Sequence, residues 1–347
     1  IMPSLVGSEM CIRDRDIPAL MRQAITESAA AQGVSTPNPP VGAVIVDRAG
    51  TIVGVGHTAP PGGPHAEIAA LTQAGAAARG ATAVVTLEPC NHTGRTGPCS
   101  QALIAAGVAH VCFGVADPNP TAAGGADTLR AAGVSVDAGV LADEVAAGPL
   151  QPWLHRQTTG RPFVTVKLAT SIDGRVAASD GTSQWITGAA ARAHAHERRS
   201  RIDAIVVGTG TALADDPSLT ARRPDGTRYP HQPTRVVVGH RDLPADANLR
   251  DDAAPLLRVA TREPAEVLDA LDDALWVLVE GGPTLAGAFV AAGLVDSVEA
   301  YVAPVLLGAG RNAVDVPTIT TLADAVRFTT REVVGLAGGD VFVRMSR

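Results

Sequence analysis

His65, Cys90 and Cys99 constrain this chain more than any other residues, because their chemistry makes sense only if folding brings them to one point. They lie in HAE at 65–67 and in TLEPCNHTGRTGPC at 86–99. Two thiolates and one imidazole suit a borderline-soft cation such as zinc, and three protein ligands leave the fourth tetrahedral position open. An open position is what catalytic zinc needs, because the ion lowers the pKa of a water bound there toward neutrality. One zinc ion per chain is therefore expected. Glu67, two residues after His65, is not expected to be a ligand. The competing expectation is a closed structural staple with His92 as fourth ligand, since closed sites are four-coordinate. Glu67 would have no role in a staple.

HAE followed by PC is similar to the zinc nucleobase deaminases, where a glutamate so placed moves protons during hydrolysis of an amidine-like carbon. Deaminases of cytidine and of nucleic acid space their cysteines as P-C-x-x-C. Here eight residues separate Cys90 from Cys99, and the insert, NHTGRTGP, is polar and basic. That arrangement closely resembles the pyrimidine deaminase domain of the bifunctional riboflavin-biosynthesis deaminase/reductases. The resemblance implies that Glu67 is the proton shuttle. It also implies a substrate shell: Asn38 in TPNPPVGAVIV, His57 after GVG, His92 and Arg95 in the insert, and Asp117 and Asn119 in DPNP. Each has a plainer alternative, because Asn and Asp commonly cap turns and either histidine can be a surface residue.

At 347 residues the expectation is two domains. A hydrophobic content of 46% supports real cores, and no apolar run is long enough to span a bilayer. The net charge of −7 argues against a general nucleic-acid binder, which would carry a basic face. Four cysteines make no disulfide framework in a chain this long. Cys112, in AHVCFGV, reads as a buried strand residue. A cytoplasmic enzyme is expected, with no membrane partner. Residues 1–15, IMPSLVGSEMCIRDR, lack the features of a signal peptide and look like a non-native leader; they are excluded from the fold argument, Cys11 with them.

The first domain is expected over 16–147. An amphipathic helix runs from Asp16 to Gln32, a proline-rich loop follows, and VGAVIVD and TIVGVG form a hairpin. His65 opens a helix to about Ala78. The strand ATAVVTLEPC delivers Cys90, and Cys99 opens another helix. Helix N-termini carry partial positive charge, so cysteines placed there are favoured as thiolates. A further strand, helix and strand complete an alternation that predicts a three-layer α/β/α sandwich, cytidine-deaminase-like in fold by the resemblance. Patterning weakens over 148–160, which reads as a linker.

A second domain is expected over 161–347. KLATSIDGRVA…GTSQWIT resembles the opening of the same family's reductase domain, whose α/β fold is similar to dihydrofolate reductase, and ARAHAHERRSRIDAIVVGTGTALADDPSLTAR and WVLVEGGPTLAGAFVAAGLVD agree in order. VVGTGTALADD carries Gly208 and Gly210 but has Leu213 where GxGxxG needs glycine, so no Rossmann fingerprint is present. EGGPTLAGAF is a second glycine turn opening a helix; such a turn can hold phosphate on its N–H groups or simply join strand to helix. The resemblance implies NADPH contacts at Thr170, Trp185, Thr211, Asp215, Gly282, Pro283 and Thr284. It implies substrate contacts at Lys167, Asp173, Ser183, Arg199, Leu219, Arg222 and Glu280. Arg199 and Arg222 make chemical sense as phosphate forks, whereas Arg198 and Arg201 read as a solvated helix face.

The resemblance thus implies two consecutive steps on one phosphoribosylated pyrimidine. The first is zinc-dependent deamination of 2,5-diamino-6-(5-phosphoribosylamino)pyrimidin-4-one; the second is NADPH-dependent reduction of the ribosyl group to ribityl. A homo-oligomer through the reductase domain is expected. Two rivals are a base deaminase acting on nucleosides or nucleic acid, and a zinc-stabilised binding module without catalysis. The wide cysteine spacing argues against the first, and Glu67 with an open ligand position argues against the second.

Overall fold

The computed structural model describes residues 17–92 and 97–347. The chain divides into two compact units, Ile1–Thr159 and Gly160–Arg347.

The first unit runs α1 (Ile17–Ser28), β1 (Gly42–Val46), β2 (Ile52–His57), α2 (Ala66–Ala74), β3 (Thr82–Leu87), α3 (Cys99–Ala106), β4 (His110–Val115), α4 (Gly125–Ala131), β5 (Ser135–Ala138), α5 (Ala142–Ala146) and α6 (Gln151–Thr159). Its sheet has the order β2-β1-β3-β4-β5. β1 is antiparallel to β2 and β3, and β3, β4 and β5 are parallel. Strands β1 and β3 read GAVIV and TAVVTL and are buried throughout, the unbroken apolar run expected of a sheet covered on both faces. Two glycines show which helix covers which face. A Cβ at Gly42 would meet the Ala24 carbonyl of α1, whereas one at Gly56 would meet the Ala66 carbonyl of α2. Gly56 pairs with Ala43, and neighbouring residues of a strand point to opposite faces. α1 and α2 therefore lie on opposite sides, giving the three layers.

The expected linker is largely helix. Leu150, Pro152 and Trp153 are buried, and Gln32 Nε2 donates to the Pro149 carbonyl at 3.3 Å, so α6 packs onto the first unit. Its polar composition disguised it: only one face carries apolar side chains.

The second unit contains β6 (Phe163–Ser171), β7 (Arg175–Ala178), α7 (Ala189–Arg199), β8 (Ala204–Gly208), α8 (Thr209–Asp215), β9 (Thr234–Val238), β10 (Leu256–Val259), α9 (Pro264–Asp269), β11 (Trp276–Val279), α10 (Pro283–Ala291), β12 (Ser297–Ala303), β13 (Gly310–Asn312), β14 (Thr329–Gly335) and β15 (Val341–Ser346). The main sheet has the order β10-β9-β8-β11-β6-β12-β15-β14, and β7 pairs with β13 separately. The strands from β10 to β12 run parallel; β15 and β14 add an antiparallel edge. After β8 the chain moves outward to β9, and after β11 it moves the other way to β12. β8 and β11 are neighbours, so their carboxyl ends form a topological switch point, where open α/β sheets bind ligands. Gly208, where β8 passes directly into α8, and the turn Gly281–Gly282 lie at the carboxyl ends of those two strands.

Candidate active sites

In the first unit a cavity of about 250 Å³ is lined by His65, Glu67, Cys90, Asn38, His92, Asp117 and Asn119, among others. His65 is the N-cap of α2, which sets Glu67 in that helix's first turn at 4% exposure. Cys90 follows β3, and Cys99 is the first residue of α3. The Cys99 amide donates to Cys90 Sγ at 3.4 Å, a helix N-terminus stabilising a thiolate. The Cys90 thiol is drawn well below its usual range, chiefly by the side-chain hydrogen bond with the Cys99 thiol and to a lesser degree by His65 and the Cys99 amide, while the Cys99 thiol is pushed up by the same thiol pairing. The hydrogen bond with Cys90 raises the pKa of His65. Burial pushes the Glu67 carboxyl up to about 7, with a further push from Cys90.

The three donors fit zinc. Tetrahedral zinc with bonds of about 2.0–2.1 Å to nitrogen and about 2.3 Å to sulfur sets N–S edges of about 3.6 Å. His65 Nδ1 lies 3.6 Å from Cys90 Sγ and 3.4 Å from Cys99 Sγ, and all three donor atoms fall within 4.8 Å of one another. A second trio, His110, Cys112 and Asp137, is of another kind. His110 Nε2 pairs with Asp137 at 2.9 Å, but Cys112 Sγ is 3.5 and 3.9 Å from the two ring nitrogens, so it lies beside the ring and off either lone pair. Burial raises the Cys112 thiol to about 12.

Other expected residues fare unequally. Asp117 Oδ1 accepts from the Asn119 amide at 2.8 Å and Asn119 Oδ1 from the Thr121 amide at 3.0 Å, so both cap turns while also lining the cavity. His92 Nδ1 is buried without a hydrogen-bond partner, a state that native proteins rarely leave unrelieved. His57 is exposed and does not line the cavity; the next residue, Thr58, is buried and does. Strand alternation accounts for that one-residue difference. Arg95 lies outside the described residues. Trp153 and Gln157 of α6 line the cavity as well, and sequence reasoning missed them. The signal was a tryptophan, one of only three in the chain, inside a segment otherwise too polar for a core.

In the second unit two cavities adjoin at the switch point. The smaller, about 350 Å³, is lined by Ser183, Trp185, Arg199, Leu219, Arg222 and Tyr301. The larger, about 830 Å³, is lined by Gly208–Thr211, Gly282, Pro283, Thr284, Arg241, Arg262 and Arg311. Lys167, Ser183, Thr211, Asp215 and Glu280 line both. Glu280 sits between two cations: Arg199 Nε and Nη2 donate to its two oxygens at 2.8 and 2.6 Å, and Lys167 Nζ is 3.6 Å away. Burial alone would raise this carboxyl, but Arg199 and Lys167 outweigh it and hold it at about 2.

That pairing changes the expectation for Arg199. Its remaining terminal nitrogen donates to the Thr220 carbonyl at 3.3 Å, so the fork meant for phosphate is spent inside the protein. Arg222 is exposed, and among the described residues its guanidinium makes no hydrogen bond or ion pair. Between them His196 has Nδ1 at 3.0 Å from the Thr220 carbonyl and 3.3 Å from the Arg222 amide. Burial and the two arginines push its pKa down to about 4. Arg198 is likewise no solvated face: it pairs with buried Glu299.

Trp185 lines the smaller cavity and stacks under Arg192, with the guanidinium 4.6 Å from the ring centroid; it was expected against the cofactor. Thr170 and Asp173 line neither cavity. Thr170 is buried near the end of β6, past Lys167, Leu168 and Ala169, which do reach the cavities. Asp173 accepts from Ser171 Oγ at 2.5 Å and from the Leu307 and Gly308 amides at 3.2 and 2.7 Å, holding two loops together. Tyr301, His196 and the three arginines of the larger cavity were missed because no local motif marks them.

Two family models match the chain: the cytidine and deoxycytidylate deaminase zinc-binding region over residues 14–115, and the RibD C-terminal domain over 162–338. The riboflavin biosynthesis protein RibD of Mycobacterium tuberculosis is 56% identical over 314 residues, 90% of this chain and 93% of that protein. The Escherichia coli protein of the same name is 42% identical over 86% of this chain and 90% of its own. Among solved structures, a Thermotoga maritima diaminohydroxyphosphoribosylaminopyrimidine deaminase/5-amino-6-(5-phosphoribosylamino)uracil reductase superposes with a TM-score of 0.86 at 31% identity, over 96% of this chain and 99% of that one. Acinetobacter baumannii RibD superposes with a TM-score of 0.82 at 36% identity over the same shares.

Proposed function

The chain belongs to the RibD family of riboflavin-biosynthesis enzymes and is a bifunctional deaminase and reductase, and from that premise we propose how its residues divide the two reactions. The zinc-binding region and the His65, Cys90 and Cys99 donor set support a zinc-dependent first step. Zinc held there supplies a Lewis acid at the floor of the cavity. Glu67 is buried, lines the same cavity and stands outside the ligand trio, so it takes a proton from water and passes it to the departing ammonia. Asn38, His92, Asp117 and Asn119 surround the pyrimidine, and the orphaned Nδ1 of His92 gains its missing partner there.

The second step uses the adjoining cavities. NADPH, which supplies the hydride, occupies the larger one, against Thr211, Asp215 and the Gly282–Thr284 turn. Arg241, Arg262 and Arg311 give that cavity the cationic lining an extra phosphate calls for. The phosphoribosyl group lies in the smaller cavity with Ser183, Leu219 and the exposed guanidinium of Arg222. Lys167, the lysine or arginine that lines both cavities, donates a proton to the ribose ring oxygen as the C1–O bond opens, and Glu280 holds it in place. Arg199 supports this arrangement through Glu280.

The substrate is 2,5-diamino-6-(5-phosphoribosylamino)pyrimidin-4-one. Reduced thiol ligands suit the cytoplasm. No described helix is long and apolar enough to cross a membrane. Edge strand β14 and the exposed Leu306 and Leu322 support assembly of copies through the reductase unit. The carrying observation is the zinc-compatible trio with Glu67 beside it in one cavity. The test is incubation of zinc-loaded protein with this substrate, with and without NADPH, followed by mass spectrometry. Deamination alone without NADPH and deaminated, reduced product with it are expected; unchanged substrate in both overturns the reading.

A further inference from the structure

We propose that α6 is the specificity wall of the deaminase cavity, with Gln157 reading the sugar side of the substrate and Trp153 bounding the ring. The inference rests on the deaminase reading above and adds a determinant that neither the zinc motif nor the insert supplies. The match to the zinc-binding region ends at residue 115, whereas α6 spans Gln151–Thr159. The wall therefore comes from chain beyond the part that carries the metal chemistry.

Trp153 and Gln157 are four residues apart, which sets them on one face of the helix, and both line the cavity that holds His65, Glu67 and Cys90. Burial orders the lining by depth. Glu67 and Trp153 are 4% exposed and Cys90 is 9%, whereas Gln157 is exposed. A pyrimidine whose reacting carbon reaches the metal trio at the floor must direct its remote substituent toward the mouth. Gln157 stands at that mouth. Its amide makes no hydrogen bond among the described residues, and it offers both a carbonyl acceptor and NH2 donors. A neutral group of that kind pairs with ribose hydroxyls better than with phosphate, which selects cations. The helix is held firmly enough to place it: Leu150 is 1% exposed, Pro152 and Trp153 are buried, and Gln32 anchors the preceding turn.

Gln157→Ala is the informative variant, because an exposed side chain can be removed without disturbing the packing. With full-length, zinc-loaded protein, KM for deamination of the phosphoribosylated substrate should rise about three- to tenfold, the effect of one lost hydrogen bond. kcat should stay within about twofold, and zinc content and reductase kcat/KM should match wild type. The same pyrimidine without its ribosyl phosphate, used as a competitive inhibitor, should keep its inhibition constant. An unchanged KM in an active protein, or equal weakening of substrate and bare pyrimidine, overturns the assignment of Gln157 and leaves the deaminase reading standing. Failure of zinc-loaded wild type to deaminate the substrate overturns both.

Discussion

Glu67 and Glu280 are both nearly buried, at 4% exposure for Glu67 and 7% for the Glu280 side chain, yet their neighbours drive them apart. Beside the two thiols, burial lifts Glu67 to about 7, where a carboxyl can take and return a proton. Glu67→Gln should keep zinc and reductase activity but lose deamination about a hundred- to ten-thousandfold; a loss under about threefold would remove it from the chemistry. Glu280 sits between Arg199 and Lys167, and its folded-state pKa of about 2 lies below the ordinary 4.5. A carboxyl depressed in the native state contributes stability that is complete above the unfolded pKa and is lost as pH falls toward the folded one. That contribution is about 3 kcal/mol, lost between about pH 4.5 and 2. Urea unfolding should show the reductase unit weakening over that window. Glu280→Gln should flatten the dependence and lower stability at pH 7 by about 3–5 kcal/mol, because Arg199 is left buried without its counter-ion. A variant as stable as wild type at pH 7 would mean that the pair is not what holds α7 to β11.

The deaminase site depends on how closely α2 lies on β2. A Cβ at Gly56 would stand 2.4 Å from the Ala66 carbonyl and 2.7 Å from the Ala70 amide, closer than atoms pack. Gly56→Ala must therefore push away the helix whose cap is His65 and whose first turn carries Glu67. The expected result is about 1–3 kcal/mol of overpacking and weaker zinc retention against a chelator, with reductase kcat/KM intact. Equal zinc retention would show that the donor trio tolerates a shifted helix. The hairpin of β1 and β2, the cap at His65 and the start of α3 at Cys99 were all legible as sequence, because each has a local cause in alternation or capping. α6 was not. Its stabilisation comes from burying Trp153 and its neighbours against the rest of the unit, and no local pattern announces that.

Each unit has its own sheet and its own buried core, and the chain passes from α6 to β6 within a few residues. The fragment Gly160–Arg347 should fold with a cooperative transition and reduce a supplied deaminated substrate with NADPH. Folding and NADPH binding without reduction would show that its site borrows residues from the deaminase unit. The sequence by itself determined the candidate metal donors, the glutamate two residues after His65, the alternating strands and helices, and the membership of the family, since these rest on residue chemistry and short-range spacing. Tertiary structure decided which polar groups remain available to a ligand. Arg199 and Arg222 read alike along the chain, but only folding places Glu280 beside one and leaves the other exposed, without a side-chain partner among the described residues. Thr58 replaced His57 at the cavity because strand alternation turned on a single residue of phase. Asp173 was drawn to the Leu307–Gly308 backbone, more than a hundred residues away. A side chain's partners are set by distances in space, and those emerge only when remote segments have packed.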